Sequence, residues 1–181
     1  MYLEQLRLYA DKLEAAGFRA WVLPADQVNS VNELLCLVDV DALKRDYVFQ
    51  IMYINELVQA QGARSNETDM TLLQLTMRLP FPVAEPQFAD VGRLLHLLNV
   101  MMPIGQLILS EVENAISFRG VLTHSSEHIE SWLVVEAVKM IQFFVIQFAV
   151  LIEQAAKGER SYAQIVQALT KQGQRLSAGI S

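Results

Sequence analysis

Between residues 94 and 123 the spacing of apolar side chains changes from a period near 3.6 to one near 2, which a chain satisfies as a helix followed by paired strands. Leu94, Leu95, Leu97 and Leu98 form a helical stripe, Met102-Pro103-Ile104-Gly105 breaks it, and two alternating segments flank Glu113-Asn114. The pattern reads as helix, break, hairpin. With Glu113 and Asn114 as the central turn residues, pairing register puts Leu107, Leu109, Ile116, Phe118 and Leu122 on one face, which is the core face. The other face carries Gln106, Ser110, Ser117 and Arg119 with Ile108 and Val121, a mixture suited to meeting a partner.

Upstream, Leu3, Leu6, Tyr9, Ala10 and Leu13 predict an amphipathic helix over 2–16 that Gly17 stops. Strand signals follow at 18–23, 33–40, 47–57 and 70–79, with the last three forming an antiparallel meander because their connections are short. In the last of these Leu73, Leu75, Met77 and Leu79 alternate with Gln74, Thr76 and Arg78, so one face is wet. The strand before it adds Val48, Met52 and Ile54 to its second side and is expected to be covered on both faces. Pro80, Pro82 and Pro86 mark a rigid, non-helical connection into the helix that ends near Met101.

Downstream, Ser125 or Ser126 is placed to cap a long helix over 127–157. Around 140–151 apolar residues occupy most of its circumference, more than one buried stripe requires. Either the fold covers both sides or a second subunit covers one, and Met140, Phe144 and Phe148 are the residues expected at that contact. Gly158 ends the helix, Ser161 caps a short last one, and 173–181 is expected to be a loose tail. The organisation is one domain over 1–181: helix and meander to 85, then helix, hairpin and long helix over 86–157, then a short helix and tail.

Composition narrows the partners. The 181 residues are 52% apolar with mean hydropathy +0.26, against roughly 45–50% apolar in ordinary domains, and the surplus is most simply placed in a homodimer interface. Fourteen Lys and Arg against 20 Asp and Glu leave a net charge of -6 with no basic cluster, which argues against nucleic acid. Cys36, the only cysteine, lies in an apolar run and reads as a core residue. The stretch 132–152 is interrupted by Glu136 and Lys139, and its densest run is shorter than the roughly 20 residues a membrane span needs. With no signal-peptide pattern in residues 1–16, the expected compartment is the cytoplasm.

Chemistry-bearing motifs are sparse. His124 and His128 with Glu127 between them have a spacing that could hold a metal on a helix, but the order is His-Ser-Ser-Glu-His and His124 precedes the expected helix. Asp39, Asp41 and Asp46 lack the glycine and terminal glutamate of a calcium loop and read as a turn. No nucleophile elbow, phosphate loop or dinucleotide fingerprint occurs. The expectation is therefore no enzyme, with no catalytic, cofactor or metal residues assigned.

Leu98-Asn99, Pro103-Ile104-Gly105 and Phe118-Arg119 resemble the YbjN family, and the order helix, strands, helix, hairpin, long helix resembles the type III secretion chaperone-like fold. The closer likeness covers about 88–155 and points to a cyanobacterial branch. It implies an α+β protein whose antiparallel sheet has helices packed on one side, often dimeric, holding an extended segment of a partner protein. The alternative it implies is a sensory regulator that binds a signalling partner or small ligand. Pro103 and Gly105 would be structural turn residues, and Arg119 a sheet residue without a catalytic role.

Overall fold

The computed structural model describes residues 2–27, 29–56, 70–125 and 129–178, with side chains described as far as Lys171. It is an α+β fold built on a six-stranded antiparallel sheet. The elements in chain order are α1 (Tyr2–Ala15), β1 (Arg19–Leu23), β2 (Glu33–Val40), β3 (Asp46–Tyr53), β4 (Thr71–Pro82), α2 (Phe88–Asn99), β5 (Gln106–Ser110), β6 (Ala115–His124), α3 (Ser131–Ala156) and α4 (Tyr162–Ala178). The strands run β1-β2-β3-β4-β6-β5 across the sheet, so the 18–23 segment joins the meander as an edge strand.

Alternation decides which side chains go inward. Leu34 and Cys36 of β2, Phe49, Ile51 and Tyr53 of β3, and Leu73, Leu75 and Met77 of β4 form one buried face. Phe118 of β6 meets Phe49 edge-to-face at 6.0 Å between ring centroids. Onto this face pack Leu6, Tyr9 and Leu13 of α1, Leu94 and Leu98 of α2, and Val138, Ile141, Val145 and Ile152 of α3, all within one apolar cluster. Each such side chain contributes roughly 1.5–3 kcal/mol by leaving water.

The hairpin of β5 and β6 has a longer turn than the sequence suggests. Ser110 pairs with Ala115, so the loop is residues 111–114 with Asn114 at φ 51°. Lengthening a hairpin loop by two shifts register by two, which keeps every side chain on its face. Leu107, Ile116 and Phe118 are accordingly buried, and Leu109 and Leu122 pack against the core.

Four other boundaries differ from expectation. β3 stops at Tyr53 because Asn55 takes over the ladder with its side chain: Asn55 Nδ2 donates to Met70 O at 3.1 Å, and Leu72 N–H donates to Asn55 Oδ1 at 2.9 Å. β4 runs through Pro80 and Pro82, where a register shift against β6 removes the ladder's demand for their missing N–H groups. α3 begins at Ser131, not 127, since Ile129 is buried and its backbone is tied to Tyr9 while Glu130 has ψ 129°. α4 is 17 residues long and continues past Gly173 to Ala178, where a loose tail was expected.

Two of its side chains tie α3 to β2 and to the turn before β3. β2 has a register shift at Val38, the mark of an extra residue in the strand, and the Val38 carbonyl accepts a bond from Gln142 Nε2 of α3 at 2.5 Å. Near the other end of α3, Glu153 takes both ends of the Arg45 guanidinium, at 2.9 and 2.8 Å.

Candidate binding surfaces

Among the described residues, the outward face of α3 and the open face of the sheet carry the residues expected at a contact. Along α3 the exposed positions are Trp132, Glu136, Lys139, Met140, Phe143, Gln147 and Val150, which recur every three or four residues, with Lys139 and Met140 adjacent, and so fall on one side of the helix. Trp132, Phe143 and Val150 are 64%, 64% and 65% exposed, a large apolar payload to leave in water. By length and composition α3 is also apolar enough to cross a membrane, with mean hydropathy 1.9 over its most apolar window. Its inner side nevertheless belongs to the sheet through Val138, Ile141, Val145 and Ile152 and through the bonds of Gln142 and Glu153.

The expected contact residues on this helix separate. Met140 is on the outer face, whereas Phe144 and Phe148 are half-buried, Phe148 packing against the core and Phe144 lying edge-on to Phe143 at 5.5 Å. Phe143, Trp132 and Val150 are the outward residues that density of apolar side chains alone does not single out. A usable signal was present: Glu136, Lys139 and Gln147 fix the wet arc, and positions 132, 140, 143 and 150 share it.

On the open sheet face, cross-strand pairing lines up Trp21, Leu35, Gln50, Thr76 and Arg119, with Gln106 beyond. Arg119 is exposed, Val121 beside it is exposed, and Ile108, on the edge strand β5 next to β6, is half-buried on the same face. Val48 is half-buried and Met52 buried on this side, so the cover expected over β3 is complete only at Met52. A concavity of about 380 Å³ lies here, with Leu35 and Val48 at one end and Ser117 and Arg119 at the other. Arg119 Nε donates to Gln74 Oε1 at 2.9 Å, and among the described residues no carboxylate pairs with Arg119. Arg78, diagonal to it across β4 and β6, meets Glu113 at 3.5 Å in an exposed pair.

The remaining polar features hold the fold. The Tyr9 hydroxyl donates to Ile129 O at 2.7 Å and accepts from Ile129 N–H at 3.1 Å, leaving Tyr53, at 2.8 Å, to donate to it. Burial pushes both tyrosine pKa values up, so neither ionises in the ordinary range. Asp41, Arg45, Glu153 and Lys157 form an ion-pair chain, in which the bond from Arg45 holds the Glu153 carboxyl below its usual range. Asp41 also accepts from the backbone N–H groups of Leu43 and Arg45, closing the turn that the clustered aspartates suggested.

The break before the hairpin is built from backbone constraints. Gly105 has φ 68°, and a Cβ there would lie 2.5 Å from the Phe118 ring and 2.6 Å from the Arg119 carbonyl. Pro103 is an exposed residue of the same loop. Asn99, at the end of α2, bonds the Leu107 backbone in both directions.

Cys36 is buried in the core, its thiol pushed up to about 12 by burial. His96 is exposed on α2. His124 pairs with Thr71 at the end of the sheet, while Glu127 and His128 lie outside the described residues. Among the described residues no three His, Cys, Asp or Glu side chains converge as metal ligands. A scan against protein-family models finds no match to this chain, and a search of curated proteins finds no similar sequence.

Proposed function

We propose that this chain is a non-enzymatic, cytoplasmic protein-binding module that pairs as a homodimer through the outer stripe of α3 and holds a segment of a partner protein. The observation that carries this reading is the row Trp132, Met140, Phe143 and Val150, left in water on the helix whose other side anchors the core. The likeness to YbjN proteins at Leu98-Asn99, Pro103-Ile104-Gly105 and Phe118-Arg119, with an order of elements that resembles the type III secretion chaperone-like fold, supports a chaperone-like role. Ile108, Arg119 and Val121 on the open face offer the partner segment a second surface. No cofactor, nucleic acid or membrane enters the mechanism.

The stripe suits a second copy running antiparallel. Paired about a two-fold axis near Ile141, Trp132 of one copy faces Val150 of the other, Met140 faces the neighbourhood of Phe143, and Glu136 faces Gln147. Parallel pairing would set Glu136 against Glu136 and Lys139 against Lys139, which like charges disfavour. Light scattering during size exclusion tests the reading: the wild type is a dimer at micromolar concentration, and Phe143→Asp is a folded monomer whose thermal midpoint no longer depends on protein concentration. A wild-type monomer removes the interface. Phe144→Asp and Phe148→Asp, at half-buried positions, lower the midpoint instead.

A second reading, a regulator that binds a small ligand, is favoured by the concavity on the open sheet face, which falls within the roughly 300–1,000 Å³ of small-molecule sites.

A further inference from the structure

We infer that the open-face concavity is a site for an amphiphilic carboxylate, a small acid with a linear apolar body. The inference rests on the ligand-binding reading above and adds the chemistry of the ligand. The two ends of the site differ in kind. Leu35 on β2 and Val48 on β3, with Gln50 of β3 paired to Leu35, give the more apolar end, and Arg78, Ser117 and Arg119 on β4 and β6 give a cationic one that Glu113 also lines.

Three strand spacings separate β2 from β6, so the ends are about 14 Å apart. That span fits an extended chain of roughly eight to ten carbons lying across the strands, with Thr76 beneath its middle. A short polar molecule would leave the Leu35 end unfilled.

The cationic end is built to meet an anion. Gln74 accepts from Arg119 Nε, which fixes the guanidinium plane while leaving both terminal nitrogens with no partner among the described residues. The Ser117 hydroxyl beside it has no bond there either. Arg78, opposite Ser117 on β4, lines the same concavity and adds a second cation to it. Its bond to Glu113 is long and solvated, so it competes weakly with a bound carboxylate. In a chain of net charge -6 the concavity concentrates two cations against one carboxylate.

The probe is octanoate, with 1-octanol as its uncharged counterpart and acetate as its head alone, followed by amide chemical shifts on the intact labelled protein. Octanoate is expected to move Val48, Thr76, Ser117 and Arg119 in one saturable process, with octanol and acetate at least tenfold weaker. Arg119→Gln weakens octanoate about tenfold or more and Arg119→Lys restores part of it, the rest of the spectrum being unchanged. Equal binding of octanol and octanoate on these strands overturns the carboxylate assignment and keeps the ligand-binding reading. Octanoate shifts confined to α3, or none, overturn both, and leave the dimer to be decided by light scattering alone.

Discussion

The side chain of Asn99 pairs with the backbone of Leu107 as a neighbouring strand would: Nδ2 donates to Leu107 O at 3.0 Å, and Leu107 N–H donates to Oδ1 at 2.8 Å. β5 is an edge strand, so these bonds cover peptide groups that would otherwise invite another chain. Asn99→Ala is expected to cost about 1–3 kcal/mol, because a partly buried donor and acceptor lose their partners together. Asn99→Asp keeps the acceptor alone and should cost less than Ala at neutral pH. Urea denaturation gives the magnitudes, and hydrogen exchange at the Leu107 amide, faster in Asn99→Ala but still slowed in Asn99→Asp, which keeps the Oδ1 acceptor, gives the site.

Tyr9 is the hinge between α1, β3 and the residues preceding α3. Tyr9→Phe leaves both Ile129 peptide groups and the Tyr53 hydroxyl without their shared partner, and a loss of roughly 2–4 kcal/mol follows from several buried groups at about 1–3 kcal/mol each, partly relaxed. Tyr53→Phe removes only one bond to a hydroxyl that Ile129 still satisfies, so its cost should be near 1 kcal/mol. Equal costs from the two substitutions, in matched denaturation curves, would contradict this ordering.

Gly105 and Gly17 both have positive φ, at 68° and 95°, but differ in space. A Cβ at Gly105 collides with Phe118 and the Arg119 backbone, whereas nothing lies within 4 Å of one at Gly17. Gly17→Ala should therefore cost about 1–2 kcal/mol from conformation alone. Gly105→Ala adds a clash of roughly 1–3 kcal/mol and should melt lower than Gly17→Ala. The comparison isolates packing from backbone strain, and similar melting temperatures would remove the packing contribution.

Acid should act through Glu153. Its pKa is lowered in the folded state by the bonds from Arg45 and Lys157, so the unfolded chain binds the proton more readily. The stabilisation is thus present above the unfolded value of 4.5 and is lost as pH falls through the lower folded value. At pH 7 Glu153→Gln should be less stable by roughly 1.5–3 kcal/mol, the range for bonds to a charged group. Below about pH 4 the gap between variant and wild type should narrow. A gap that stays constant from pH 7 to pH 3, read as denaturation midpoints, would show that the carboxylate charge is not what holds Arg45.

What the sequence disclosed was periodicity. β2 was legible over 33–40 to the residue, because the short continuous apolar run from Leu34 to Val38 is bounded by Glu33 and Asp39 and by turn residues on either side, and the faces of the hairpin survived a loop two residues longer than Glu113-Asn114 implies. What it concealed were bonds between residues far apart in the chain. Nothing local to Ile129 tells that Tyr9, 120 positions earlier, will hold its backbone and delay α3. Asn55 and Asn99 look like loop residues, yet each acts as a surrogate strand. On α3 the high density of apolar side chains pointed to the right helix, but choosing the outward ones needed the phase that Glu136, Lys139 and Gln147 supply, and Phe144 and Phe148 lie off that arc.

A rod that is apolar on most sides has little to stop it turning or sliding against a greasy sheet, since dispersion and water expulsion have no direction. Gln142 and Glu153 are 11 positions apart on α3, close to three full turns, so they emerge on nearly the same side about 16 Å from each other. One is latched to the Val38 carbonyl and the other to the Arg45 fork. Two fixed points on a rigid cylinder set both its rotation and its position along the axis. The direction in which Phe143 looks out is therefore decided by a glutamine and a glutamate roughly a quarter-turn around the helix from it, and releasing either one should blur the aim of the surface without touching it.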